Sequence, residues 1–68
     1  MISYDRIRVF FERQQKVHVS CDGRFYNGTI LDVNEDKKFL ILLDNRLGEV
    51  PIMVEEILNI EPLRERER

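Results

Sequence analysis

The sequence predicts an all-β domain in which one short helix precedes five short strands bent into a small barrel. Three observations predict it. Apolar residues fall at helical spacing only up to about residue 14, and from Lys16 onward the period changes to two. Turn signals at Asp22-Gly23 and at Asp44-Asn45-Arg46 cut the remainder into strand-length pieces. Gly28 stands in the middle of one of those pieces, where a glycine marks a bend, a bulge or a close backbone approach.

Each element has its own signal. Ser3 can cap a helix, and Asp5 lies in the first turn, where negative charge is favoured. Ile2 and Ile7 occupy the positions of a hydrophobic staple. Ile7, Phe10 and Phe11 share a face, and Arg6, Arg8, Glu12 and Arg13 are left for water, so a helix is expected from about Tyr4 to Gln14. It is too short to stand alone and must dock on something apolar. Val17, Val19 and Cys21 then alternate with His18 and Ser20 as a strand. The return strand runs from Arg24 to about Asn34, and Asn34 to Lys37 is a polar connection. The third strand is Lys38 to Asp44, with Phe39 to Leu43 expected to be buried on both faces. Glu49 to Val54 is the fourth strand, Glu55-Glu56-Ile57 a tight turn, and Leu58 to Glu61 a short fifth strand ended by Pro62. Phe10, Phe11, Phe25 and Phe39 are expected in the core.

The chain has 68 residues, enough for one domain, read as residues 1–63 with an alternating Arg/Glu tail at 64–68. A domain this small buries only about 60% of its unfolded surface and is marginal alone. Cys21 is the single cysteine, so no disulfide can form within the chain. One His and one Cys cannot supply a four-ligand zinc site, and neither a metal nor another cofactor is expected. Self-association is the remaining source of stability. The cysteine-poor composition points to an intracellular, cytoplasmic protein, and the longest apolar run is far short of a membrane span. The net charge is −2, divided unevenly as +2 over residues 1–27 and −4 over residues 28–68. A nucleic acid would therefore have to meet a local basic patch.

Gly28, Ile30, Val33, Phe39 and Ile41 reproduce the spacing of the first Sm motif, and Gly23 precedes Gly28 by the interval common in those proteins. Ile57 and Ile60, three apart, match the end of the second motif. Phe39 to Asn45 is similar to the third strand of the bacterial RNA chaperone of that superfamily. From about Ser3 to Leu63 the chain thus resembles the Sm-like (LSm) family. The resemblance implies an N-terminal helix, a five-stranded SH3-like/Sm-like barrel and a homo-oligomeric ring, a hexamer to octamer. The family pairs the fourth strand of one subunit with the fifth of the next, so Val50, Ile52, Leu58 and Ile60 are the expected interface residues. It also implies binding of single-stranded RNA near the pore. Asn34 and Lys38 stand where the family places an Asp and an Asn, Asp36 where a stacking residue is common, and Met53-Val54 where it has Arg-Gly. The family's uridine pocket is therefore not reproduced, because neither Asp nor Met offers a π face or the donors of a guanidinium.

Asn34, Lys37 and Lys38 are the expected RNA-binding residues, since a loop repeated around a ring would form a positive crown. Arg6, Arg8, Arg13 and Lys16 give a second modest basic patch. His18 and Cys21 are the only candidates for a nucleophilic pair, and residues three apart on a strand point to opposite faces. No enzyme is expected. Asp32, Glu35, Asp36 and Asp44 read as a solvated acidic rim. The functional expectation is a ring that binds RNA without catalysis. The alternative is a protein–protein interaction or assembly module on a small SH3-like barrel, favoured by the acidic balance.

Overall fold

In the computed structural model, which describes residues 2–64, a helix leads into a five-stranded antiparallel sheet. The elements are α1 (Tyr4–Arg13), β1 (Lys16–Cys21), β2 (Arg24–Asn34), β3 (Phe39–Asp44), β4 (Gly48–Met53), the 3₁₀ turn η1 (Val54–Glu56) and β5 (Ile57–Pro62). The strand order is β4-β3-β2-β1-β5, so the sheet curls into a barrel-like form that stays open between β4 and β5.

The helix begins where the sequence predicts. Ser3 Oγ accepts the Asp5 N–H at 3.1 Å. It stops one residue earlier than expected, because Gln14 adopts a left-handed conformation (φ 53°) and its N–H turns back onto the Phe10 and Phe11 carbonyls. Ile7 and Phe10 enter the core, and Ile2 packs beside them. The core is completed by Val17, Val19, Ile30, Leu40, Leu42, Ile52, Val54, Ile57 and Ile60.

Two irregularities explain apolar spacings that a regular strand cannot accommodate. In β2, Ile30 opposes Leu42 and Asp32 opposes Ile41, which leaves Leu31 as a bulge. The extra residue lets Ile30 and Val33, three apart, both turn inward. In β5, Asn59 opposes Ser20 and Ile57 opposes Cys21, which leaves Leu58 unpaired and lets Ile57 and Ile60 share the core face.

Gly28 permits a close approach of β2 to β3. A Cβ there would lie 1.8 Å from the Leu43 carbonyl oxygen, closer than any side chain allows. Only glycine lets β2 and β3 lie this close at this point.

Other expectations are corrected. β3 starts at Phe39, because Lys38 is left-handed (φ 64°) and closes the loop instead. β4 lies one residue earlier than predicted, and the tight turn is Val54–Glu56. Phe39 to Leu43 is not buried on both faces, since Leu40 and Leu42 are buried and Leu43 is exposed. β3 is covered on one side only, so the run alternates as an ordinary half-buried strand does. Phe25 is not a core residue. Adjacent Phe25 and Tyr26 must point to opposite faces, and Tyr26 is the one packed against the core. Leu63 and Arg64 belong to no strand, and the remainder of the predicted tail lies outside the described residues.

Candidate nucleic-acid interface and assembly edges

The connection from β2 to β3 is built by its own polar groups. Asn34 Oδ1 accepts the Lys37 N–H at 2.9 Å, an Asx turn that fixes the start of the loop. The Lys38 carbonyl accepts the Val54 N–H at 2.9 Å, which ties the loop to η1. Lys37 and Lys38 are exposed. Glu35 forms an ion pair with Arg8 of α1. The loop therefore presents two lysines against Asp36, with the Glu35 charge already engaged. Of the three residues expected to meet RNA, Lys37 and Lys38 offer their ammonium groups outward, whereas the side-chain oxygen of Asn34 already holds the turn.

The expected interface residues divide in the same way. β4 and β5 are the two borders of the sheet, each with a neighbour on one side only. Leu58 is 70% exposed and Val50 is half-buried. Ile52 and Ile60 are buried in the core of their own molecule, so as side-chain contacts for a neighbour they are corrected. The cause is the alternation of a strand, with Ile60 brought inward by the Leu58 bulge. Their backbones still lie on the borders. Both borders carry a proline, Pro51 and Pro62, at positions where a missing N–H is tolerated. Between the borders lies a hollow of about 440 Å³, walled by Pro51 and Ile52 on one side, Leu58 on the other and Glu55 and Glu56 at its end.

His18 and Cys21 do not meet in a nucleophilic pair. The Nδ1 of His18 lies 2.6 Å from Asn27 Oδ1. Burial, then Glu56, raise the Cys21 thiol above its ordinary range, and Arg24 opposes them only in part. A thiol held protonated is a poor nucleophile. No three His, Cys, Asp or Glu side chains among the described residues converge as a metal site would require. No helix among them is long and apolar enough to cross a membrane.

One acidic residue has a role that the sequence reading placed in a solvated rim. Asp44 is buried. Its Oδ1 accepts the Asn27 N–H at 3.0 Å, and its Oδ2 accepts the N–H groups of Arg46 and Leu47, each at 2.9 Å. Burial alone would raise its carboxyl. The three N–H donors, with the Arg46 charge, overcome that and hold it below the usual carboxylate value. The signal was present, since an Asp opening an Asp-Asn-Arg turn is placed to bind the backbone two and three residues on.

Comparison of the chain with protein-family models, with curated proteins and with solved structures found no match.

Proposed function

We propose that this chain is an Sm-like protein that joins copies of itself, border to border, into a closed ring and binds single-stranded RNA without catalysis. The observation that carries this reading is the pair of open borders, β4 and β5, at opposite ends of an otherwise paired sheet. An open border has backbone N–H and C=O groups that a strand from another chain can satisfy. Two different borders on one molecule make a head-to-tail contact, and such contacts close into a ring when the rotation from one copy to the next completes a circle. Exposed Leu58 supplies apolar cover beside the β5 border. Each proline that faces the partner removes one hydrogen bond, a loss of about 0.5–1.5 kcal/mol net.

RNA binding follows from repetition. Two exposed lysines per subunit, held in a loop of defined shape, become a ring of cations on a protein of net negative charge. Loss of the family's stacking and guanidinium positions leaves phosphate contact as the main attraction, so binding is expected to be salt-sensitive and weakly selective for base. Light scattering combined with filter binding of oligouridine and oligoadenosine at several salt concentrations tests the reading. A several-fold mass is expected, together with binding that weakens steeply with salt and falls in the Lys37→Ala/Lys38→Ala variant. A monomer would end the ring. An intact oligomer that retains no RNA at low salt would end the RNA role.

A further inference from the structure

The strongest unexplained feature lies at the opposite end of β2 from the lysine loop. The β1–β2 and β3–β4 hairpins carry two large apolar side chains out of the protein, Phe25 (64% exposed) and Leu47 (61% exposed). A protein of this size has every reason to bury such groups. Arg24 precedes Phe25 and Arg46 precedes Leu47, so the four residues alternate cation and apolar group across two neighbouring tips. A hollow of about 400 Å³ lies among Arg24, Phe25, Tyr26, Arg46 and Leu47. A second of about 390 Å³ lies where Phe25 faces Asn27, Asn45 and Arg46.

The two tips are held rigidly. The Asp44 carboxylate fixes the N–H groups of Arg46 and Leu47 on one hairpin and of Asn27 on the strand beside it. The Asn45 N–H reaches the Asn27 carbonyl at 2.9 Å, and His18, held near Asn27 Oδ1, sets its ring 5.4 Å from that of Phe25. The backbone beneath the exposed groups is thus set by a part-buried polar knot, so little backbone freedom is lost when something covers them.

We propose that this tip is a docking site for a segment of a partner protein that offers an apolar side chain flanked by carboxylates. Charge selects the occupant. The tip presents two guanidinium groups, and the nearest carboxylate on its inner side, Asp44, is engaged by three N–H donors. Arginine beside aromatic and aliphatic groups is the composition of a protein-binding hot spot. A nucleic acid is disfavoured because it carries a charge at every nucleotide and would lay some of them against Asp22 and Glu56 on the other side of Arg24, whereas a short peptide can set its few carboxylates at the two arginines alone. Arg24 also lines the hollow between the two borders, whereas Phe25, Arg46 and Leu47 are assigned neither to the ring nor to RNA, so binding at these three can be read apart from assembly.

Backbone amide chemical shifts of the ¹⁵N-labelled protein, titrated with a hexapeptide of two central leucines flanked by glutamates, test it. The control peptide has lysines in place of the glutamates. The acidic peptide is expected to shift amides at residues 24–27 and 45–47 in a saturable way. Phe25→Ser is expected to weaken that binding about tenfold, the effect of losing one hot-spot side chain. Arg46→Glu should abolish it and admit the lysine peptide, while Val9→Ser, at an exposed apolar residue of α1, leaves the binding unchanged. Equal binding of both peptides, or no shift of these amides by the acidic peptide at about millimolar concentration, overturns the proposal. So does a preference of the same amides for oligouridine over the acidic peptide. Phe25 and Arg46 are exposed, so the variants keep the fold, and the amide spectrum shows that directly.

Discussion

The middle of the sheet and its two borders are held by different means. In the middle, β1, β2 and β3 each have a neighbour on both sides, Val17, Val19, Ile30, Leu40 and Leu42 are fully buried, and at Gly28 two backbones touch with no room for a methyl group. At the borders, β4 and β5 each have one neighbour, each carries a proline, and their outer faces show Glu49, Met53, Leu58 and Glu61. The middle specifies the fold through shape, where small changes are costly. The borders tolerate chemical variety, and that is where a partner can be accepted. Substitutions that act on one region and spare the other can break or sharpen this contrast.

The largest effect is expected from Gly28→Ala. The new Cβ would meet the Leu43 carbonyl, a backbone atom that cannot swing aside, so β2 and β3 must separate. The loss is expected to exceed about 3 kcal/mol, above the usual range for overpacking because nothing flexible can give. In a protein with about 5–15 kcal/mol in total, thermal denaturation should show an unfolded or barely folded chain. A variant that melts within a few degrees of the parent would show that the approach is looser than its geometry indicates.

Asp44→Asn is expected to cost about 2 kcal/mol, the scale of losing hydrogen bonds to a charged acceptor. The amide keeps one acceptor oxygen where the carboxylate uses two, and its NH₂ group is turned toward backbone donors. The sign of the pH dependence follows from the lowered carboxyl. A group whose folded value lies below its unfolded value, about 3.9 for Asp, stabilises fully above that unfolded value and loses its contribution as pH falls through the folded one. Denaturant midpoints of the parent should therefore drop on acidification below about pH 4, and those of Asp44→Asn should drop less. Parallel curves would remove Asp44 as the source of acid sensitivity. The variant also loosens the hairpin tips, so Phe25 should become more mobile while the borders stay unchanged.

Much of the middle was legible in the sequence. Period-two spacing gave β1, Asp22-Gly23 gave the first hairpin, and Gly28 marked a bend, a bulge or a close approach, of which the structure shows the last. The bulges were legible only indirectly. Ile30 with Val33 and Ile57 with Ile60 are apolar pairs three apart in strands, which a regular strand cannot bury together, and the extra residue in each case is a leucine that faces out. Phe25 was misassigned because its hydrophobicity outweighed its position beside Tyr26. Of the four expected interface residues, Ile52 and Ile60 point into their own core for a related reason, whereas Val50 is half-buried and Leu58 faces out. A border strand of a small barrel must still feed the core, so its most apolar residues, Ile52 and Ile60, turn inward. The lysine loop was located to within one residue, Lys38 belonging to it and not to β3, but its pairing of Glu35 with Arg8 is a contact across 27 positions that no local pattern encodes.

The smallest effect on stability is expected from Leu58→Ser, and it bears most directly on the borders. Leu58 is the bulge residue of β5, has no partner across the ladder to β1, and is the most exposed of the large apolar side chains described. Removing it from water-facing surface should change folding stability by less than about 0.5 kcal/mol. If β5 meets the β4 of a neighbour, the same substitution strips apolar contact from every junction of the ring. A closed ring multiplies a small loss by the number of junctions, so a change of about 1 kcal/mol at each one shifts assembly far more than it shifts the melting of a subunit. Light scattering over a dilution series should show dissociation at higher concentrations than the parent, with an unchanged circular dichroism spectrum. A mass unchanged down to the lowest concentration would mean that the β5 border stays open to water, and that the contrast between middle and border is one of tolerance alone.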